Sequence, residues 1–268
     1  MTGTGASRLG GLPGFDSGID VIGDVAVVKL RPGVEGRESA LAEAIMAEMK
    51  SVKCVYGQEG GIEGEFRLRR LRHLGGEART TTTHKENGIR LRLDVETCYF
   101  SPRLSTERLR IASRVREGEK VLNMFAGVGP YSVLIAKKAP VWSCELNAAA
   151  YRFHVENNRL NKVERRVTMV EGDAALLPEK TAGEGPFDRI LMPHPSQSNA
   201  FLPAAASMLA PGGVVHYYRH VTGEDEGEAE ARLREEVAAL APRLSVVAVR
   251  RVRVVGPRYV ELVADIEA

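Results

Sequence analysis

The sequence has few cysteines, no long apolar run and little net charge. Its 268 residues include three cysteines, Cys54, Cys98 and Cys144, an odd number scattered without metal-type spacing. A disulfide framework and a zinc site are therefore excluded as organising features, and three buried or half-buried thiols are expected. No segment approaches the roughly 20 apolar residues needed to span a bilayer. The opening MTGTGASRLGG has neither the basic flank nor the apolar centre of a signal peptide, so a cytoplasmic protein is expected. A net charge of +2 is too small by itself to indicate a polyanionic partner. Internal repeats and low-complexity segments are also lacking.

What is present is enough for two folded parts. A hydrophobic content of 44% with 27% charged residues suits a globular chain able to bury a core. Residues 1–18, rich in glycine and small side chains, are expected to form a flexible tail. IDVIGDVAVVKL reads as two short strands around Gly23 and Asp24. A helix is expected from about Arg37 to Lys50, where Leu41, Ile45 and Met49 share one face. Strand-like alternation then runs through Val52–Tyr56, the adjacent basic stretch and GIRLRLDV. Residues 19–93 therefore read as a small α+β domain.

From residue 94 onward the pattern changes to strand, glycine turn and helix in alternation, the mark of an open, mostly parallel sheet covered on both faces. The last two apolar segments, joined by the short Gly256-Pro257 turn, can pair only if they run antiparallel. Charge is also unevenly placed. EFRLRRLRHLGGEAR, from Glu65 to Arg79, sets Arg67, Arg69, Arg70, Arg72, Arg79 and His73 against two glutamates. Such an excess suits either phosphate contact or a solvated strand face.

NMFAGVGPYS comes after a strand and opens a helix, so Gly127 and Gly129 let the backbone approach a ligand at the carboxyl edge of the sheet. Glu145 ends the next strand, where a carboxylate can accept both hydroxyls of a ribose. Asp173 ends the third, where it can receive an adenine amino group. Two nucleoside cofactors fit this frame. A dinucleotide turn calls for glycine where the chain has Ser132, whereas the antiparallel final hairpin favours S-adenosylmethionine.

THKENG, CYFSPRLSTERLRIA, MFAGVGPYS, ELN, FDRILM and GGVVHYY, in that order, resemble the signatures of archaeal and eukaryotic tRNA guanine-N1-methyltransferases, which act on the guanosine 3′ of the anticodon. Wybutosine-pathway aminocarboxypropyltransferases share the superfamily and move a different group of the same cofactor. The resemblance implies a class I, Rossmann-like α/β fold with a seven-stranded sheet and an antiparallel last strand. It also implies S-adenosylmethionine as cofactor, no metal, and the tRNA anticodon loop as partner of an expected monomer. Relatives commonly carry a further amino-terminal domain, which this chain is expected to be too short to hold.

By motif position the resemblance implies that Arg108, Phe125, Glu145, Leu146, Asn147, Asp173 and Ala174 line the cofactor site. It places Arg67, Tyr99 and Glu107 at the target base, with Glu107 as the base for the N1 proton and Arg67 as the clamp on O6. Arg69, Arg70 and Arg72 are expected to meet phosphates. Two departures stand out. Asn123 replaces a common aspartate before the glycine turn, and Pro193 replaces the asparagine that ends the fourth strand, leaving Pro195 as the matching residue. Met192 and Pro193 carbonyls can still accept hydrogen bonds there, since proline removes only a donor. His194 reads either as a helper to Glu107 or as a solvent-facing side chain. His84 is expected to be structural, and Asn157-Asn158 to belong to a helix end. A tRNA-binding protein without turnover is a third reading of the missing asparagine.

Overall fold

The computed structural model describes residues 15–30 and 36–268. The chain divides into two compact units between Thr106 and Glu107, later than the 93/94 boundary expected from the sequence, so the segment after residue 93 stays with the first unit up to Thr106. Of the expected tail, residues 1–14 lie outside the described residues, and residues 15–18 instead begin a strand.

In the first unit, β1 (Phe15–Ile22), β2 (Val25–Leu30), β3 (Cys54–Glu63) and β4 (Leu68–Gly76) form a sheet in sequence order. The β2 and β3 strands are parallel and the other neighbours antiparallel. A parallel pair needs a crossover, and α1 (Glu38–Glu48) supplies a helix within it. Its Leu41, Ala42 and Ile45 pack with Ala26, Val28, Val52, Val55 and Leu74. A separate hairpin comes next, β5 (Thr81–Glu86) and β6 (Ile89–Asp94). Its turn residue Asn87 adopts φ 45° beside Gly88, the pairing that tight hairpins favour.

The second unit is a seven-stranded sheet. In chain order its strands are β7 (Val121–Asn123), β8 (Val141–Glu145), β9 (Val167–Glu171), β10 (Phe187–Met192), β11 (Leu209–Thr222), β12 (Ser245–Gly256) and β13 (Tyr259–Glu267). Their spatial order is β12-β13-β11-β10-β7-β8-β9. The strands β7 to β11 pair in parallel, and β13 runs antiparallel to both neighbours, as the Gly256-Pro257 turn requires. Helices α2 (Ser105–Arg114), α3 (Pro130–Ile135), α4 (Ala148–Leu160), α5 (Leu177–Lys180), α6 (Ser198–Met208) and α7 (Glu226–Leu240) complete the chain. Apolar side chains of β10, β11 and β13, including Ile190, Met192, Val215 and Ala264, pack with Leu202 of α6 and Leu233 and Val237 of α7.

The β7 strand lies between β10 and β8, so strand order reverses at its edge and the loop after it opens onto the crevice where α/β sheets bind ligands. That loop is held from below. Gly129 has φ 88°, and a Cβ there would stand 2.2 Å from Cδ2 of His154, an imidazole that is fully buried in α4. Burial pushes the His154 pKa down to about 3, so the ring is neutral at physiological pH. Gly127 also has positive φ, 56°, yet a Cβ there would meet nothing within 4 Å. Gly129→Ala is therefore expected to cost at least about 2 kcal/mol in urea unfolding, combining left-handed strain with overpacking. Gly127→Ala should cost about 1 kcal/mol from strain alone. Equal losses would show that the His154 contact does not shape the loop.

Candidate functional site

The carboxyl edge of the second unit is built around Glu145, the last residue of β8. Its Oε2 accepts the Gly127 N–H at 2.6 Å and its Oε1 accepts the Asn147 N–H at 2.8 Å. Each oxygen has a second lone-pair site, the number needed for the two hydroxyls of a ribose. Burial raises the Glu145 pKa above the ordinary carboxylate range, and the amides of Asn147, Gly127 and Leu146 oppose that rise. Asn157 of α4 donates to the Val128 carbonyl at 2.9 Å, so it anchors the loop instead of merely ending a helix. The side chain of Asn147 accepts the Ala149 and Ala150 N–H groups as the cap of α4. Asp173 likewise caps the turn after it with Oδ1 on the Ala175 N–H.

Leu146 is 40% exposed beside Glu145, while Ala174 is buried. Leu176 is 47% exposed one turn from Asp173. Each of these leucines leaves an apolar surface uncovered near a strand-end acid, where an adenine ring could pack. Leu176 carried no motif signal and was invisible in the sequence. These residues fit S-adenosylmethionine: carboxylate acceptors, an open face at Gly127 and uncovered apolar side chains. The residue at the third-glycine position of a dinucleotide turn, Ser132, is buried, accepts the Asn123 amide at 3.0 Å and the Ser143 hydroxyl at 2.8 Å. Asn123 is thus a buried structural amide in place of the common aspartate.

Pro193 does end β10, and the turn after it also walls the crevice. The His194 ring packs on Phe125 with centroids 5.4 Å apart, and Phe125 meets Phe201 at 5.1 Å. His194 is half-buried, so the solvent-facing alternative does not describe it. The Met192 carbonyl accepts the His194 N–H at 2.9 Å, and the Ser198 hydroxyl lies 3.0 Å from it and 2.8 Å from the His194 carbonyl. The Pro195 carbonyl accepts from His220 and Arg219. Among the described residues none donates to the Pro193 carbonyl, which leaves that oxygen for a ligand's ammonium or a base edge.

Glu107, near the start of α2, is 5% exposed. Arg110 grips it bidentately at 2.8 and 2.7 Å, and the Tyr218 hydroxyl donates to Oε1 at 2.6 Å. Tyr131 donates to Tyr218 at 3.2 Å. The helix-neighbour pairing that the sequence allows is real, but it lies inside the unit and not on a solvated face. Oε2 takes one donor, so an acceptor site remains on it. Arg108 is also buried, at 2% exposed. Arg110 continues the chain to Asp265 at 3.9 Å, whose other oxygen binds His216 at 2.7 Å.

In the first unit, Arg67 has φ 55°, a left-handed conformation that is strained for a side chain with a Cβ. Its guanidinium lies over the Tyr99 ring, 4.7 Å from the centroid. The structure thus brings these two candidates together. Arg69 departs from its expected role at a phosphate. Asp20 binds it at 2.8 Å with the two side chains only 9% and 13% exposed, so its charge is neutralised within the fold. Asp20 also takes Arg103. Arg72 is shared by Glu38 and Glu59, and Arg70 is exposed. His84 is structural as expected: Nδ1 accepts the Gly23 N–H at 3.1 Å.

A family model described as the TRM5/TYW2 methyltransferase domain matches residues 82–243, and one described as the TYW2 N-terminal domain matches residues 14–80. The chain is 41% identical over 248 residues to the tRNA (guanine(37)-N(1))-methyltransferase Trm5b of Pyrococcus abyssi, covering 92% of this chain and 73% of that protein. It is 40% identical over 202 residues to the tRNA(Phe) (4-demethylwyosine(37)-C(7)) aminocarboxypropyltransferase of Pyrococcus horikoshii, covering 75% and 70%. The solved complex of aTrm5 and tRNALeu matches with a TM-score of 0.81 at 31% identity, covering 94% of this chain and 72% of that one.

Proposed function

The chain belongs to the TRM5/TYW2 methyltransferase family, and on that premise we propose that it methylates N1 of the tRNA guanosine 3′ of the anticodon. The observation that carries this reading is the buried carboxylate of Glu107, fixed by Arg110 and Tyr218 with an acceptor site left on Oε2. Guanine N1 is protonated at neutral pH, so methylation there requires a base. Bound S-adenosylmethionine supplies an electrophilic methyl group; the remaining work falls to the chain. Glu145, Asp173, Leu146 and the Pro193 carbonyl hold the cofactor. Glu107 takes the N1 proton on Oε2, a role worth about 10²- to 10⁴-fold. Arg67 stabilises the charge that develops on O6, and stacking on Tyr99 keeps its planar donor edge oriented. A cytoplasmic location and a monomeric state complete this reading.

Two features favour a second reading, transfer of the aminocarboxypropyl group to a tricyclic guanosine derivative. The amino-terminal match is to the TYW2 type, and Pro193 stands where the methyltransferases carry asparagine. Reaction of the purified chain with methyl-labelled S-adenosylmethionine, with mass spectrometry of the anticodon-loop nucleosides as readout, separates them. Label in 1-methylguanosine is expected; an unlabelled aminocarboxypropyl adduct would establish the second reading instead.

Glu107→Gln keeps the size of the side chain but removes its capacity to take a proton. Single-turnover methylation should fall by about 10²- to 10⁴-fold, with affinity for S-adenosylhomocysteine unchanged. An unchanged rate would remove Glu107 from the role of base.

A further inference from the structure

The β5–β6 hairpin sorts its side chains strictly by face. Thr82, Glu86, Ile89, Leu91 and Leu93 are buried on one side, whereas Lys85, Arg90 and Arg92 are exposed on the other. Pairing sets Lys85 directly opposite Arg90 and Thr83 opposite Arg92. Like charges facing each other across a strand pair are unfavourable for the fold, so the requirements of folding do not account for this arrangement. The acid on the same face of the two strands, Asp94, is the last residue of β6. It accepts the Thr80 hydroxyl at 2.6 Å and the N–H groups of Glu96 and Thr97 at 2.9 and 3.1 Å.

Beside this face lies a cleft of about 660 Å³, lined in part by Thr81, Thr83, His84, Lys85 and Arg92. Its acid, Asp24, is bound by Arg79 and by the Thr82 hydroxyl at 2.7 Å, and the Arg79 ion pair holds its carboxyl below the ordinary range. Hydroxyl donors and cations therefore face the cleft. Residues two apart on a strand are about 7 Å apart and neighbouring strands about 5 Å. Lys85, Arg90 and Arg92 thus form a compact triangle of charge able to bridge successive phosphates of one strand.

We propose that the outer face of the β5–β6 hairpin and the adjoining cleft bind the sugar-phosphate backbone of the RNA substrate. This face supplies the phosphate contacts that Arg69, locked onto Asp20, does not. The inference rests on the reading of the chain as a tRNA-modifying enzyme, and deepens it by naming a contact surface away from the β4 arginines.

The test measures binding of a fluorescein-labelled tRNA transcript, with guanosine 3′ of the anticodon, across a salt series from about 50 to 200 mM. The unaltered chain is compared with the triple variant Lys85→Ala/Arg90→Ala/Arg92→Ala. Each lost phosphate contact lowers the slope of log affinity against log salt by about 0.7 to 0.9, so the triple variant should be shallower by about 2 and bind more weakly. Its affinity for S-adenosylhomocysteine should be unchanged. If the triple variant does not fold, Lys85→Ala and Arg92→Ala separately should each lower the slope by about 0.7. An unaltered slope in a variant of a chain that still methylates tRNA would overturn this surface and leave the function standing. Failure of the unaltered chain to bind the transcript at all would overturn both.

Discussion

A single carboxylate joins the two halves of the crevice in the second unit. Glu145 ends one strand, and its oxygens reach across to the amide of Gly127 in the loop and forward to the amide of Asn147 at the start of α4. Without that bridge the glycine loop would be held chiefly by Ala126 on the Cys144 carbonyl of β8 and by Asn157 of α4 on the Val128 carbonyl. Burial drives the carboxyl towards its neutral form while the amides of Asn147, Gly127 and Leu146 favour its charge. A ligand offering two hydroxyl donors would tip that balance further towards the carboxylate, so the site is arranged to gain from ribose binding.

A second constraint runs through the middle of the same unit. Tyr131, Tyr218, Glu107, Arg110, Asp265, His216, Arg189 and Glu119 form an unbroken succession of hydrogen bonds and ion pairs. Buried charges of this kind do little for net stability, because desolvation offsets much of their attraction. Their value lies in position. Breaking one partner strands another in a medium of low polarity, so α2 is held in one register against β11 and β13, and Glu107 with it. Burial is also why the His216 ring is pushed towards neutrality although Asp265 sits beside it.

Local chemistry made much of this visible in the sequence. Alternating apolar residues placed β6, the Gly256-Pro257 turn set the direction of β13, and Pro193 marked the end of β10. Glycines at 127 and 129 and acids at 145 and 173 located the crevice. Contacts between residues distant in sequence left no local trace. Tyr218 lies 111 positions from Glu107, and Asp20 lies 49 from Arg69, so neither the fixing of Glu107 nor the neutralisation of Arg69 could be read from spacing. Asn157 resembled a helix-end residue because its partner, the Val128 carbonyl, belongs to a loop 29 positions earlier. The basic face of the hairpin was hidden for a different reason: GIRLRLDV announced a strand, and only its register with β5 set Lys85 opposite Arg90.

The most direct test of the account is whether Glu145 reads ribose hydroxyls. Calorimetric binding of S-adenosylhomocysteine and of its 2′,3′-dideoxy analogue would be compared for the unaltered chain and for Glu145→Gln. Each hydrogen bond to a charged acceptor is worth about 1.5–3 kcal/mol and the analogue lacks two, so the unaltered chain should prefer the hydroxylated ligand by roughly 10²- to 10⁴-fold, and the variant should lose most of that preference. An equal preference in both proteins would contradict the placement of the nucleoside at the carboxyl edge of β8.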